Sequence, residues 1–175
     1  MQNKGFTVVE MLIVIGIFGI MSAMVLINFR QGEHSTNFLL ATEEVAANIR
    51  KAQTQTLTGT INEEILGSGG FGLYFDLTQP GQYLMFRDDG DQTYEVGIDT
   101  ILETVNLPLN IALSNLTTDP LTVIFKPPKP TIYLNGDQLL SEVDIYLTSV
   151  KVTDKSGHIN LNRVTGRVTA ELEQL

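Results

Sequence analysis

Glu10 is the one charged side chain in residues 6–29, a stretch that is otherwise almost wholly apolar. A carboxylate beside hydrocarbon is costly unless it is paired, so the chemistry this position offers is ion pairing. The densest acidic group lies much later, at Asp88, Asp89, Asp91 and Glu95. Carboxylates at such spacing are hard oxygen ligands of the kind calcium takes, and Asp88, Asp89 and Asp91 are the calcium candidates. The spacing lacks the full helix-loop-helix calcium pattern, and a solvated hairpin turn is the simpler account.

Other chemistries are missing from the sequence. The chain has no cysteine, which removes disulfides, thiol nucleophiles and thiolate metal sites. Its two histidines, His34 and His158, form no sequence cluster. There is no Gly-x-Ser-x-Gly elbow and no catalytic carboxylate pair at motif spacing. Gly67, Gly69, Gly70 and Gly72 crowd together, but no Gly-Lys-Ser/Thr follows them and no helix begins there, so they make no phosphate loop. An enzyme is not expected, nor is any cofactor beyond the calcium candidate.

The element that positions Glu10 is an apolar helix. Residues 11–29 carry no charge. At about 1.5 Å per residue they reach about 28 Å, close to the thickness of a bilayer core. Backbone groups in lipid must bond one another, which requires a helix. A secretory signal removed whole would have Lys4 as its only basic residue, an acid inside its apolar region and a poor cleavage site at Ser22, Ala23 and Met24. A plain single-pass anchor accounts for the length but not for Glu10. Gly16 and Gly19, with Ser22 and Ala23, make a small-residue stripe of the sort that lets membrane helices approach closely, although glycine is also simply common in such helices.

Lys4-Gly5, then Phe6-Thr7-Val8-Val9-Glu10 and the long apolar run, resembles the class III signal of type IV pilins and type II secretion pseudopilins. The resemblance implies that a prepilin peptidase cuts between Gly5 and Phe6 and methylates the new amine of Phe6. It also implies that Glu10 meets the amine of a neighbouring subunit and so fixes register during assembly. The partners it implies are other pilin or pseudopilin subunits, the peptidase, an inner-membrane assembly platform and, before assembly, membrane lipid. The expected location is the inner membrane, single-pass, with the head outside the cytoplasm, and afterwards a pilus or pseudopilus.

Beyond the membrane stretch, Phe38, Ala41, Val45, Ile49, Ala52 and Thr56 recur at helical spacing, opposite Glu43, Glu44, Asn48, Arg50, Lys51 and Gln55. Gly32 is a candidate bend or break, and Thr36 or Asn37 a candidate cap for a second segment. The remainder reads as short strands: residues 71–75, 82–87, 93–98, 121–126, 142–153 and 158–162, with a tight closing hairpin at 164–168. Gly81, Gly90, Gly136, Gly157 and Gly166 stand at turn-like positions. Pro127, Pro128 and Pro130 forbid regular pairing there. The fold class expected is α+β, a long amino-terminal helix packed on an antiparallel β-sheet or β-sandwich head. The divisions expected are a leader at 1–5, a transmembrane and assembly helix at 6–29, the outer half of the helix at 30–58 and the head at 59–175.

Within that family the domain is similar to the GspH/FimT-like minor pilins and pseudopilins. The likeness rests on Asn48-Ile49-Arg50-Lys51-Ala52-Gln53, Gly72-Leu73-Tyr74-Phe75-Asp76, Tyr83-Leu84-Met85-Phe86 before Asp88-Asp89-Gly90-Asp91, and the closing run Asn162-Arg163-Val164-Thr165-Gly166-Arg167-Val168. Thr165, Gly166 and Arg167 form the heart of that last motif. A minor subunit is the leading expectation, with a major filament subunit as its rival. Some FimT-type subunits bind DNA through a basic carboxy-terminal region. Here Arg163 and Arg167 are followed by Glu171 and Glu173, and the whole chain carries 11 basic against 20 acidic residues, which disfavours a phosphate-backbone binder. The alternative expectation is that Arg167 braces the hairpin or the helix.

Overall fold

The structure is a computed structural model that describes residues 7–58, 69–127 and 131–175, with side chains described outside 26–31. Its elements are helix α1 (Val8–Thr58) followed by nine strands: β1 (Gly70–Phe75), β2 (Gln82–Asp88), β3 (Thr100–Asn106), β4 (Ile111–Leu116), β5 (Leu121–Lys126), β6 (Thr131–Leu134), β7 (Glu142–Ser149), β8 (Val152–Asn162) and β9 (Arg167–Gln174). Every strand pair is antiparallel. One sheet has the order β3-β2-β1-β5-β6 and the other β4-β7-β8-β9. The α+β class expected from the sequence is the one observed.

Two compact units divide the chain, Met1–Asn37 and Phe38–Leu175. In the first, every described side chain from Thr7 to Val25 is exposed. In the second, the helical spacing has its effect: Phe38, Val45, Ile49 and Ala52 are fully buried, Ala41 and Thr56 nearly so. Thr42 and Ala46 complete that buried face. It shares one core with Leu73, Phe75, Leu121, Val123 and Phe125 of the first sheet and Val143, Ile145, Leu147, Ile159 and Leu161 of the second.

Polar contacts fix the helix on the strands. Asn48 Nδ2 donates to the Tyr83 hydroxyl at 2.7 Å, and Thr56 Oγ1 donates to Phe125 O at 3.0 Å. Lys51 Nζ lies 3.1 Å from Glu103 Oε2, a pair too exposed to add much stability. Gly157 stands inside β8, not in a turn as expected. A Cβ built there would lie 2.4 Å from Thr42 Oγ1 and 3.2 Å from Leu147 Cβ, so glycine is what allows the helix this close to the strand.

Several further sequence expectations need correction. Helix α1 runs without a break at Gly32, and Thr36 Oγ1 donates back to Gly32 O at 3.0 Å instead of capping a second helix. Residues 93–98 form no strand. Thr93 N donates to Asp91 Oδ1 and Glu95 N to Asp99 Oδ2, so side chains take the N–H groups a ladder would have used. The next strand in the chain is β3, almost wholly exposed and joined to β2 across a bulge at Met85/Phe86. The span 142–153 is two strands folded at Val150 and Lys151, with Ser149 paired to Val152. The glycines at 67 and the prolines at 128 and 130 lie outside the described residues.

Candidate functional site

The start of α1 carries the site. Thr7 precedes the first helical residue, and Met11 N donates to Thr7 O at 3.2 Å, closing the first turn. Glu10 N donates to Thr7 Oγ1 at 3.2 Å, while Thr7 N donates to Glu10 Oε2 at 3.5 Å. These reciprocal bonds are a capping box, which satisfies two of the N–H groups a helix start leaves open. A carboxylate in the first turn is also favoured by the positive end of the helix dipole. Thr7-Val8-Val9-Glu10 spells the capping signature in the sequence, a local role for Glu10 besides the assembly role expected of it. The residue thus has a local partner while its side chain stays exposed.

Beyond the cap the helix offers little but apolar surface. Val8–Val25 forms an uncharged helix apart from Glu10, long and apolar enough to cross a membrane. Its 18 residues rise about 27 Å. A Cβ added at Gly16 or Gly19 would meet nothing within 4 Å, so no contact within the described chain explains glycine at either position. Gly5 and Phe6, the expected cleavage pair, lie outside the described residues.

The closing motif is a docking turn. Thr165 N and Oγ1 both donate to Asn162 Oδ1 at 3.0 Å, and Gly166 turns with φ of 68°. Gln53 Nε2 donates to Gly166 O at 3.4 Å and Arg50 Nη2 to Val168 O at 2.9 Å. The brace assigned in prospect to Arg167 is supplied by Arg50 of the helix and by Arg163, whose Nε donates to Leu140 O at 2.7 Å. Arg167 contributes its backbone N–H to Thr165 Oγ1.

In the acidic loop, Asp88, Asp89 and Asp91 can each bring one carboxylate oxygen within 4.8 Å of the others. Those carboxylates already serve the backbone. Asp88 accepts Gln92 N, Asp89 accepts Asp91 N at 3.3 Å, and Asp91 accepts Thr93 N at 2.8 Å. Burial, then the charges of Asp99 and Asp91, push Asp88 up to about 6. Burial likewise raises Asp99, although N–H donation from Glu95 and Asp89 pulls it back.

A cluster unseen in the sequence lies on the outer face of the second sheet. His158 Nε2 is 2.8 Å from Asp144 Oδ1, and Nδ1 is 2.7 Å from Glu173 Oε1. Tyr146 stacks on the imidazole at 4.7 Å with an interplanar angle of 7°. The alternation of β7 puts Asp144 on the outer face, but the register that brings His158 and Glu173 beside it is not readable from the sequence.

An exposed apolar helix of membrane-crossing length, with one carboxylate at its start, continues into an antiparallel β unit, the layout of an anchored structural subunit. Residues 1–26 match the family described as the prokaryotic N-terminal methylation motif, which indicates membership in the broad superfamily of type IV pilins and pseudopilins. No curated protein and no solved structure matches the chain. Membership in a structural superfamily, without cysteine or catalytic motif, fits a non-enzymatic role.

Proposed function

We propose that the chain is a structural subunit of a type II secretion pseudopilus or a type IV pilus-like filament, of the GspH/FimT-like minor kind. The observation that carries this reading is the methylation motif on a fully exposed apolar helix that begins with a Thr7–Glu10 cap. In this reading the peptidase removes residues 1–5, the amine of Phe6 is methylated, and the helix crosses the inner membrane with the β unit outside. Assembly then moves the helix from lipid into a bundle of like helices, where Gly16 and Gly19 admit close neighbours.

Glu10 carries the register. Lipid is as apolar as the helix surface, so leaving it gives little hydrophobic reason to prefer one axial position. An ion pair between the Glu10 carboxylate and the Phe6 amine of a neighbour supplies that preference, because two charges attract strongly where water is excluded. The acidic β9 face and the low count of basic residues argue for a filament role over DNA uptake.

Two measurements test the proposal. Intact mass and amino-terminal sequencing of the protein from its native membrane should show loss of residues 1–5 and a methylated Phe6. Glu10→Ala should keep its mass processing and its folded β unit yet fail to enter filaments. A mature protein still starting at Met1, or normal filament incorporation of Glu10→Ala, overturns the reading.

A further inference from the structure

The outer face of β7, β8 and β9 gathers three carboxylates around one imidazole. In the β8–β9 register His158 stands opposite Glu171, with Glu173 two residues along the same face. One donor atom each from His158, Glu171 and Glu173 lies within 4.8 Å of the others. We propose that this face is a binding site for a divalent transition ion of the zinc class, with His158 Nδ1, Glu171 and Glu173 as ligands and Asp144 as the residue that positions the ring.

Four features support it. The ring is fixed from both sides: Tyr146 covers one face, and Asp144 Oδ1 holds Nε2 at 2.8 Å while also accepting Asn160 Nδ2 at 2.8 Å. A metal-ligating histidine commonly donates its other N–H to a carboxylate, which sets the tautomer and leaves the first nitrogen free for the ion. Here Nδ1 instead pairs with Glu173 Oε1 at 2.7 Å, a contact that an ion bound to both atoms would replace. Second, the charge is unbalanced. Asp144, Glu171 and Glu173 outnumber the one charge a protonated His158 can offer, so a divalent ion neutralises the face more fully than a proton does. Third, the donor set selects the ion. Imidazole suits zinc, copper and nickel, whereas calcium and magnesium take oxygen ligands. Fourth, the two glutamates are exposed and the ring half-buried, which gives an ion an entry path and leaves a fourth position for water.

Nothing in this inference depends on filament assembly.

The experiment uses the full chain in detergent micelles, without a polyhistidine tag and in a buffer that does not chelate. Zinc chloride is titrated by calorimetry, with cobalt(II) absorption as a second readout. The wild type should take up one zinc per chain, with calcium failing to compete. Asp144→Asn should keep that stoichiometry and lose about 10–100-fold in affinity. His158→Gln should abolish uptake, and His34→Gln should leave it unchanged. Circular dichroism reports whether His158→Gln still folds. Glu171→Gln, at an exposed position, serves as the independent variant and should weaken binding at least about tenfold. Absence of saturable one-to-one uptake by the wild type, or affinity unchanged in Glu171→Gln, overturns the proposal.

Discussion

Replacing Asp88 with asparagine tests how the acidic loop is held. Asp88 is 1 % exposed, and its carboxylate accepts the N–H of Gln92 while no cation faces it among the described residues. Burial, Asp99 and Asp91 raise its pKa from 3.8 to about 6. The unfolded chain releases this proton first, so between those values the folded chain holds more protons and stability falls as pH rises. Each tenfold change in proton affinity is worth about 1.4 kcal/mol, so the ionised carboxylate costs the fold about 3 kcal/mol above pH about 6. Asparagine keeps an oxygen for Gln92 and removes the charge. Its extra N–H donors, short of acceptors in this loop, take back about 1 kcal/mol. The net expectation is a gain of about 2 kcal/mol near pH 7.5 that shrinks as pH falls and becomes a loss of about 1 kcal/mol below pH about 3, where the wild-type carboxyl is neutral in both states. Urea unfolding of the full chain in detergent, followed by tyrosine fluorescence, reads the difference at each pH. Equal stability near neutrality, or a variant weaker there, would show that the ionised Asp88 carboxylate does not carry this cost. So would stabilisation of the wild type alone by millimolar calcium, since the carboxylates would then be held by an ion and not by backbone N–H groups.

Gly157→Val should cost about 1–3 kcal/mol in the same unfolding assay, because the new side chain meets Thr42 of the helix and Leu147 of β7. Tyr83→Phe should cost about 1–2 kcal/mol by leaving Asn48 Nδ2 without its acceptor, and Asn48→Leu combined with it should recover part of the loss. Thr7→Val should remove the cap at a cost of about 1 kcal/mol, seen as faster hydrogen exchange of the Glu10 amide with the rest of α1 unchanged.

The helix was the most legible part of the chain because its period is long and its apolar positions are many. All six residues picked at helical spacing between Phe38 and Thr56 are buried. The strands were legible where apolar residues met recognised turn chemistry, as in β1, β2 and β5. They were lost where one of those signals failed. The β7–β8 turn uses Val150 and Lys151, with no glycine or proline to mark it. Strand β3 is exposed on both faces, so Thr-Ile-Leu-Glu-Thr-Val-Asn shows no clean alternation. Strand β9 was visible only as an acidic end, although Val168, Ala170 and Leu172 turn toward the core while Glu171 and Glu173 face out. The His158 cluster was beyond reach for a different reason: it joins three strands, and its members meet only once the register between them is known.

Under the proposed function, Glu10 would serve two states with one side chain. In the single chain its carboxylate accepts the Thr7 N–H and its own N–H is held by Thr7 Oγ1. The acid is therefore not a naked charge waiting for a partner, and the helix start is preorganised before any neighbour arrives. The Thr7 N–H bond is long at 3.5 Å and exposed, so under the proposed function exchanging it for a cationic amine in a water-poor bundle would cost little and gain a charged pair. The second bond, from Glu10 N to Thr7 Oγ1, does not involve the carboxylate and survives the exchange. In the proposed filament such a subunit would be stable in lipid and still prefer one axial position among its neighbours, because the same four residues close the helix and present the acid at its end.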